Sequence, residues 1–373
     1  MDRRRLGRIA WAGGSVAAAG ADDGAAIGDL GDVGTMAPPS ARSLPMHVNS
    51  IALIAGKMAT MGVGFLAWLV AARLFAPADV GLAAGAVSAM MLCVQLALFG
   101  AGAAIISLYP EHQRRPAALL DTALSFVAIA SLAVAVGFLL LATGAFRELG
   151  VIGTTPAYTA AFLAMCVFGA LGVLLDQIST ALRRGDQALT RGALSGVVTL
   201  GALVAAPLLA GQTGAMAILA AWVAGNFAPV ALGAAQLRRV LAGYRFRPAM
   251  RSDLTLRLIR VGLPNWALTL AERAPGSILP IVVTELLSPA ANATWYAVWM
   301  MAWVVYIIPI QVGLSLFAEA SHRPRALGRA LRLGLALSLA IGVAGAVGAA
   351  IVGPVMLSFL GPTYSEGGTL TLR

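Results

Sequence analysis

From residue 50 onward, apolar residues come in long unbroken runs rather than in the alternation of a half-buried strand or the stripe of a surface helix. Nine such runs can be drawn, at 50–75, 80–109, 116–145, 157–182, 188–211, 213–236, 257–287, 292–319 and 327–359. Each reaches the roughly 20 residues that cross ~30 Å of hydrocarbon at about 1.5 Å per residue. In lipid, every backbone N–H and C=O must be satisfied within its own segment, so runs of this kind predict helices. The expected fold is all-α: a polytopic transmembrane helix bundle with about nine visible spans.

Arginine orders the spans. The connections after even-numbered spans carry Arg114 and Arg115, then Arg183, Arg184 and Arg191, then Arg238, Arg239, Arg245, Arg247, Arg251, Arg257 and Arg260, and finally Arg323, Arg325, Arg329 and Arg332. The loops after odd-numbered spans offer only Arg147, apart from the terminal Arg373. Basic residues near span ends are retained in the cytoplasm, which puts the N-terminus inside. Hydrophobic residues make up 59% of the chain and charged ones 11%, outside the range of ordinary soluble domains. The net charge of +10 does not point to nucleic acid, because the arginines sit in juxtamembrane loops that meet anionic lipid head groups. Cys93 and Cys166 both lie within spans without paired spacing, so neither a disulfide framework nor a metal site is expected.

Residues 1–49 are a different material, with Arg3, Arg4, Arg5 and Arg8 ahead of an Ala/Gly/Asp stretch and Pro38-Pro39-Ser40. They are expected to form a disordered cytoplasmic tail, or to precede a true translation start at Met46. Residues 50–240 read as a six-helix N-terminal bundle, 241–256 as a basic cytoplasmic linker, and 257–373 as an incomplete C-terminal bundle of three helices. A weak internal repeat supports the division: residues 70–78 and 282–290 share four of nine positions at an offset of 212, with a proline just past the helix in both. Repeats are how many transporters are built. Six spans against three, with a turn-rich segment at 360–368, predict a truncated two-lobe protein of six plus six helices or larger.

The turn after the first span, Ala72-Arg73-Leu74-Phe75-Ala76-Pro77-Ala78-Asp79-Val80-Gly81, resembles the "AR-LGP-xx-YG" turn of bacterial polysaccharide (O-antigen type) flippases of the multidrug/oligosaccharidyl-lipid/polysaccharide (MOP) exporter superfamily. The small-residue run Phe99-Gly100-Ala101-Gly102-Ala103, the passage Ala181-Leu182-Arg183-Arg184-Gly185 and the turn Gly361-Pro362-Thr363-Tyr364 resemble the same family. The likeness runs over about residues 46–373; Val80 replaces the usual aromatic, and nine spans stand where the family has twelve or fourteen. The resemblance implies a transporter that moves a polyprenyl-diphosphate-linked oligosaccharide across the bacterial cytoplasmic membrane for cell-surface polysaccharide such as lipopolysaccharide. Its partners would be that lipid-linked oligosaccharide, anionic membrane lipids and other polysaccharide-assembly membrane proteins. Coupling by H+ or Na+ is expected, with no cofactor. The alternatives are a multidrug/cation antiporter of the same superfamily and an integral-membrane glycan polymerase or glycosyltransferase. Short, nearly uncharged external loops and the lack of any nucleophile elbow, phosphate-cradling loop or metal-ligand cluster argue against an enzyme.

Charges too deep to reach an interface mark functional positions in membrane spans. Span 7 carries the clearest pair, Glu272 and Arg273, which as neighbours cannot face each other on a helix. Asn265, Thr269, Glu272 and Arg273 instead form one polar stripe, expected to line a cavity or to pair with another helix. Pro264, Pro275 and Pro280 predict a bend or break in that span. Lys57 in span 1 either lines the cavity or snorkels to the interface. Asp176, Asn226 and Gln311 are secondary cavity candidates, Asp176 also reading as an interfacial residue and the two amides, with Gln95, as interhelical glue. Gly81-x-x-x-Gly85 predicts close helix approach. Trp266, Trp295, Trp299 and Trp303 read as packing or interface residues before sugar platforms. Glu285, Glu319 and Asp121 lie near span ends and need no function.

Overall fold

The computed structural model describes residues 62–113, 116–211, 214–241, 244–303, 327–360 and 364. They belong to one compact unit, Met46–Arg373. Among them are α1 (Gly62–Leu74), α2 (Pro77–Leu98), α3 (Ala101–His112), α4 (Ala117–Ala145), α5 (Gly150–Thr154), α6 (Pro156–Ala181), α7 (Gly185–Ala210) and α8 (Ala215–Val240). The chain continues with α9 (Ser252–Leu286), α10 over 289–303 and α11 (Leu327–Leu360). Pro77 and Pro156 open α2 and α6, where a proline costs no helical hydrogen bond. Among the described residues, six helices are long and apolar enough to cross a membrane, with α2 and α3 counted together over Pro77–His112. At 35 residues α9 is long enough too, but its polar stripe keeps it out of that set.

Two local expectations are corrected. Of the bend or break expected from Pro264, Pro275 and Pro280, the break does not occur: α9 runs as one helix from Ser252 to Leu286. Each proline removes a single N–H donor, and the neighbouring turns hold the helix together. Span 2 does break, at Phe99 (φ 42°) and Gly100 (φ 75°), two consecutive residues in the left-handed region that separate α2 from α3. Gly100 suits that conformation, whereas Phe99 adopts it against its own preference.

The arginine topology can be checked against contacts far apart in sequence. On the external side, Asp79 accepts from the Ala215 N–H at 2.9 Å, Glu285 from the Leu149 N–H at 2.7 Å, and Asn292 donates to the Gly81 carbonyl at 2.9 Å. On the cytoplasmic side, Tyr244 donates to Asp121 at 2.7 Å and Arg257 meets Glu111 at 2.6 Å. Every one of these bonds joins ends that the arginine pattern puts on the same face of the membrane.

At the centre, α9 packs antiparallel on α2 and also touches α3 and α4, while α8 packs on α6 and α7. Close approach of α2 and α9 depends on glycine. A Cβ on Gly100 would strike the backbone of Gly262, and one on Gly262 would strike the backbone of Gly100. Gly81 lies against Pro289 in the same way, and a Cβ on Gly85 would come within 2.8 Å of the Thr284 hydroxyl. The Gly81/Gly85 spacing therefore serves the seam between α2 and the α9–α10 corner. Pro77 and Pro289 open α2 and α10 at equivalent places, as the weak repeat implies.

Candidate functional site

The seam between α2 and α9 has two unlike sides. It is closed at one end by Trp266, whose indole N–H donates to the Gln95 carbonyl at 2.7 Å while its ring stacks on Phe99 at 5.5 Å. That carbonyl is free to accept because the break at Phe99 ends the α2 ladder. The other end is closed by Thr284 against Gly85 and by Glu285, whose carboxylate accepts from the Arg147, Glu148 and Leu149 N–H groups at 2.7, 3.2 and 2.7 Å. Between these closures the two helices turn about 100° per residue, which sorts their side chains.

On one side, Leu92, Cys93 and Leu96 of α2, Val134 and Phe138 of α4, and Ile278, Ile281 and Val282 of α9 enclose an apolar cleft of about 590 Å³. On α9 the same rotation places Asn265, Thr269 and Glu272 on one face of the helix. Arg273 stands on the ridge of α9 that carries Trp266, Ser277 and Thr284 into the seam. Its neighbours on that ridge, Ser277 and Thr284, are buried, yet Arg273 itself is exposed, and Met91 of α2, at about its level, is 40% exposed.

Arg273 lies 13 residues before the external end of α9, a rise of ~20 Å, and 21 residues beyond its cytoplasmic start. Both ends are too far for comfortable snorkelling. Asn265 and Glu272 are exposed as well, and Thr269 is half-buried. Among the described residues, no ion pair or hydrogen bond engages the side chain of Glu272 or Arg273. α10 borders the same side: Trp299 lies 3.5 Å from a Cβ built on Gly276. Trp295, Trp299 and Trp303 follow one another along α10 with ring centroids 5.4 and 6.2 Å apart. At mid-membrane depth α9 thus carries an exposed cation and an exposed carboxylate.

The other sequence candidates are placed differently. Asp176 accepts from the Arg191 guanidinium at 3.1 and 2.7 Å. Asn226 donates to Trp222 of its own helix at 2.9 Å. Lys57, Gln311 and Glu319 lie outside the described residues. Of the tryptophans, Trp266 is a packing residue with a satisfied N–H.

Several important residues escaped the sequence reading. Arg191 is not a loop arginine; it lies inside α7 with 2% exposure and also donates to Gln236 at 2.6 Å, the Leu175 carbonyl at 3.0 Å and Ser179 at 2.8 Å. The signal for it was its place within span 5, beyond the first apolar residues. Asp121 and Glu285 do have partners, each tying a connecting segment to a helix. No pattern in the sequence announces either contact.

Comparison with known proteins fits this architecture. Residues 47–317 match a family described as polysaccharide biosynthesis protein. A solved structure titled as the inward-facing conformation of a multidrug resistance MATE family transporter of the MOP superfamily aligns with a TM-score of 0.63 and 13% identity, over 84% of this chain and 76% of that one. A MATE protein in the bent conformation aligns with a TM-score of 0.52 and 16% identity, over 87% of this chain and 77% of that one. Identities this low establish a shared fold. No curated protein sequence matches the chain.

Proposed function

Because the chain belongs to the polysaccharide biosynthesis protein family and has the fold of MOP-superfamily transporters, we propose that it translocates a polyprenyl-diphosphate-linked oligosaccharide across the bacterial cytoplasmic membrane. The observation that carries the proposal is Arg273, exposed at mid-membrane depth in α9 and without a partner among the described residues. A guanidinium in a low-dielectric gap attracts phosphate oxygens strongly and offers them a bidentate fork of donors. Glu272, one residue away on the polar side, is the group that exchanges a proton or binds Na+ as the cavity changes its exposure. Asn265 and Thr269 supply neutral hydrogen-bonding groups to the head group, and the α10 indoles give the glycan an aromatic edge.

Drug/cation antiport is the second reading, and the MATE neighbours favour it. It would need a net acidic cavity, whereas Arg273 sits beside Glu272 here. Flipping of a fluorescent polyprenyl-diphosphate oligosaccharide in proteoliposomes separates the two. The parent is expected to flip the lipid, and Arg273→Ala and Glu272→Gln to abolish flipping while remaining folded. A folded parent that leaves the lipid unmoved but exchanges a cationic dye for protons would overturn the first reading in favour of the second.

A further inference from the structure

The segment between α8 and α9 is held in place rather than left loose. Tyr244, buried, donates its phenolic hydrogen to Asp121 at 2.7 Å, and burial followed by the nearby carboxylate pushes that phenol well above its ordinary pKa, so it stays a donor. The Arg247 N–H donates to the same carboxylate oxygen at 3.3 Å, and the Ala249 N–H to the Ser125 hydroxyl at 3.2 Å. Asp121 and Ser125 are both buried in α4, and Ser125 lies one turn, about 6 Å, further toward the membrane interior. Residues 244–251 therefore form an extended strap that descends α4 from the cytoplasm and delivers the chain to the start of α9.

The outward face of this strap is unusual for a polar connection. Arg245, Phe246, Arg247, Met250 and Arg251 are all exposed, with Phe246 at 45% and Met250 at 57%. Arg251 is committed to Asp253 at 3.2 Å. The side chains of Arg245 and Arg247 have no described partner. Two cations interleaved with apolar side chains at the depth where head groups meet acyl chains match an anionic phospholipid in both charge and polarity.

We infer that the strap is a binding site for an acidic phospholipid of the cytoplasmic leaflet. Arg245 and Arg247 bond its phosphate oxygens, and Phe246 and Met250 sit among its acyl chains. Tyr244 and Asp121 are positioning residues that hold the strap at that depth. The site is independent of the transported substrate, so its failure would leave the proposed function standing.

Lipid titration of the full chain in detergent, followed by native mass spectrometry, tests the inference with phosphatidylglycerol against phosphatidylcholine. Arg245→Gln with Arg247→Gln is expected to weaken phosphatidylglycerol retention on the order of 25-fold, about fivefold per arginine, and to weaken phosphatidylcholine, whose phosphate is offset by its own choline cation, far less. Phe246→Ser should weaken both lipids alike. Tyr244→Phe removes no charge and should still lower phosphatidylglycerol retention several-fold. Glycerol phosphate at matched concentration should not displace the lipid; displacement would mean a free-phosphate site instead. Parent-like retention by the double variant would overturn the inference. So would an equal loss from Arg238→Gln with Arg239→Gln, because diffuse charge and no site would then explain the preference.

Discussion

Two arginines inside membrane helices have opposite surroundings. Arg191 in α7 is 2% exposed and gives hydrogen bonds to Asp176, Ser179, Gln236 and the Leu175 carbonyl, joining α6, α7 and α8. Arg273 in α9 is exposed and meets no described partner. A guanidinium that is buried and engaged at every nitrogen has little left for a ligand and acts as a structural knot. One kept at mid-membrane depth without partners is tolerated only where water or a ligand reaches it. The same residue type therefore reads as architecture in one place and as chemistry in the other, and the surrounding donors and acceptors decide which.

Breaking the knot should have the larger effect on stability. Arg191→Leu leaves the half-exposed Asp176 carboxylate, the Gln236 amide and a buried carbonyl without their donor, and is expected to cost about 2–3 kcal/mol in detergent unfolding. Loss of less than about 1 kcal/mol would show that water replaces the guanidinium. Glu285→Ala is next: three backbone N–H groups lose a charged acceptor, at a cost of about 1–3 kcal/mol. Enhanced hydrogen exchange confined to residues 147–149 would report the loss directly. Arg273→Ala should change unfolding by no more than about 0.5 kcal/mol, because nothing described leans on its side chain. Its effect should fall on transport alone, and a large stability loss there would erase the contrast.

Much of the architecture was legible in the sequence. Long apolar runs specify membrane helices because lipid allows the backbone no other satisfied form. Arginine placement gave a topology that the Asp79, Glu285, Asn292, Tyr244 and Glu111 contacts obey end for end. The Glu272/Arg273 stripe was readable because helical periodicity alone puts its members together. Partners set by tertiary packing were not readable. Arg191 looked like one more loop arginine because Ser179 and Gln236 are 12 and 45 residues away and show no motif. The break at Phe99 was hidden because only Gly100 hinted at it, while three prolines in α9 advertised a break that does not occur.

Aqueous access to position 273 is the central claim, and cysteine labelling tests it most directly. Arg273→Cys in sealed vesicles would be exposed to a water-soluble maleimide, beside Arg191→Cys as the packed control and Leu268→Cys, at a position 70% exposed on the same helix, as the lipid-facing one. The maleimide reacts with a thiolate, which forms only where water reaches. The account predicts fast labelling at 273, with little at 191 or 268. Labelling at 273 as slow as at 268 would mean that the stripe faces lipid, and the candidate site would fall with it.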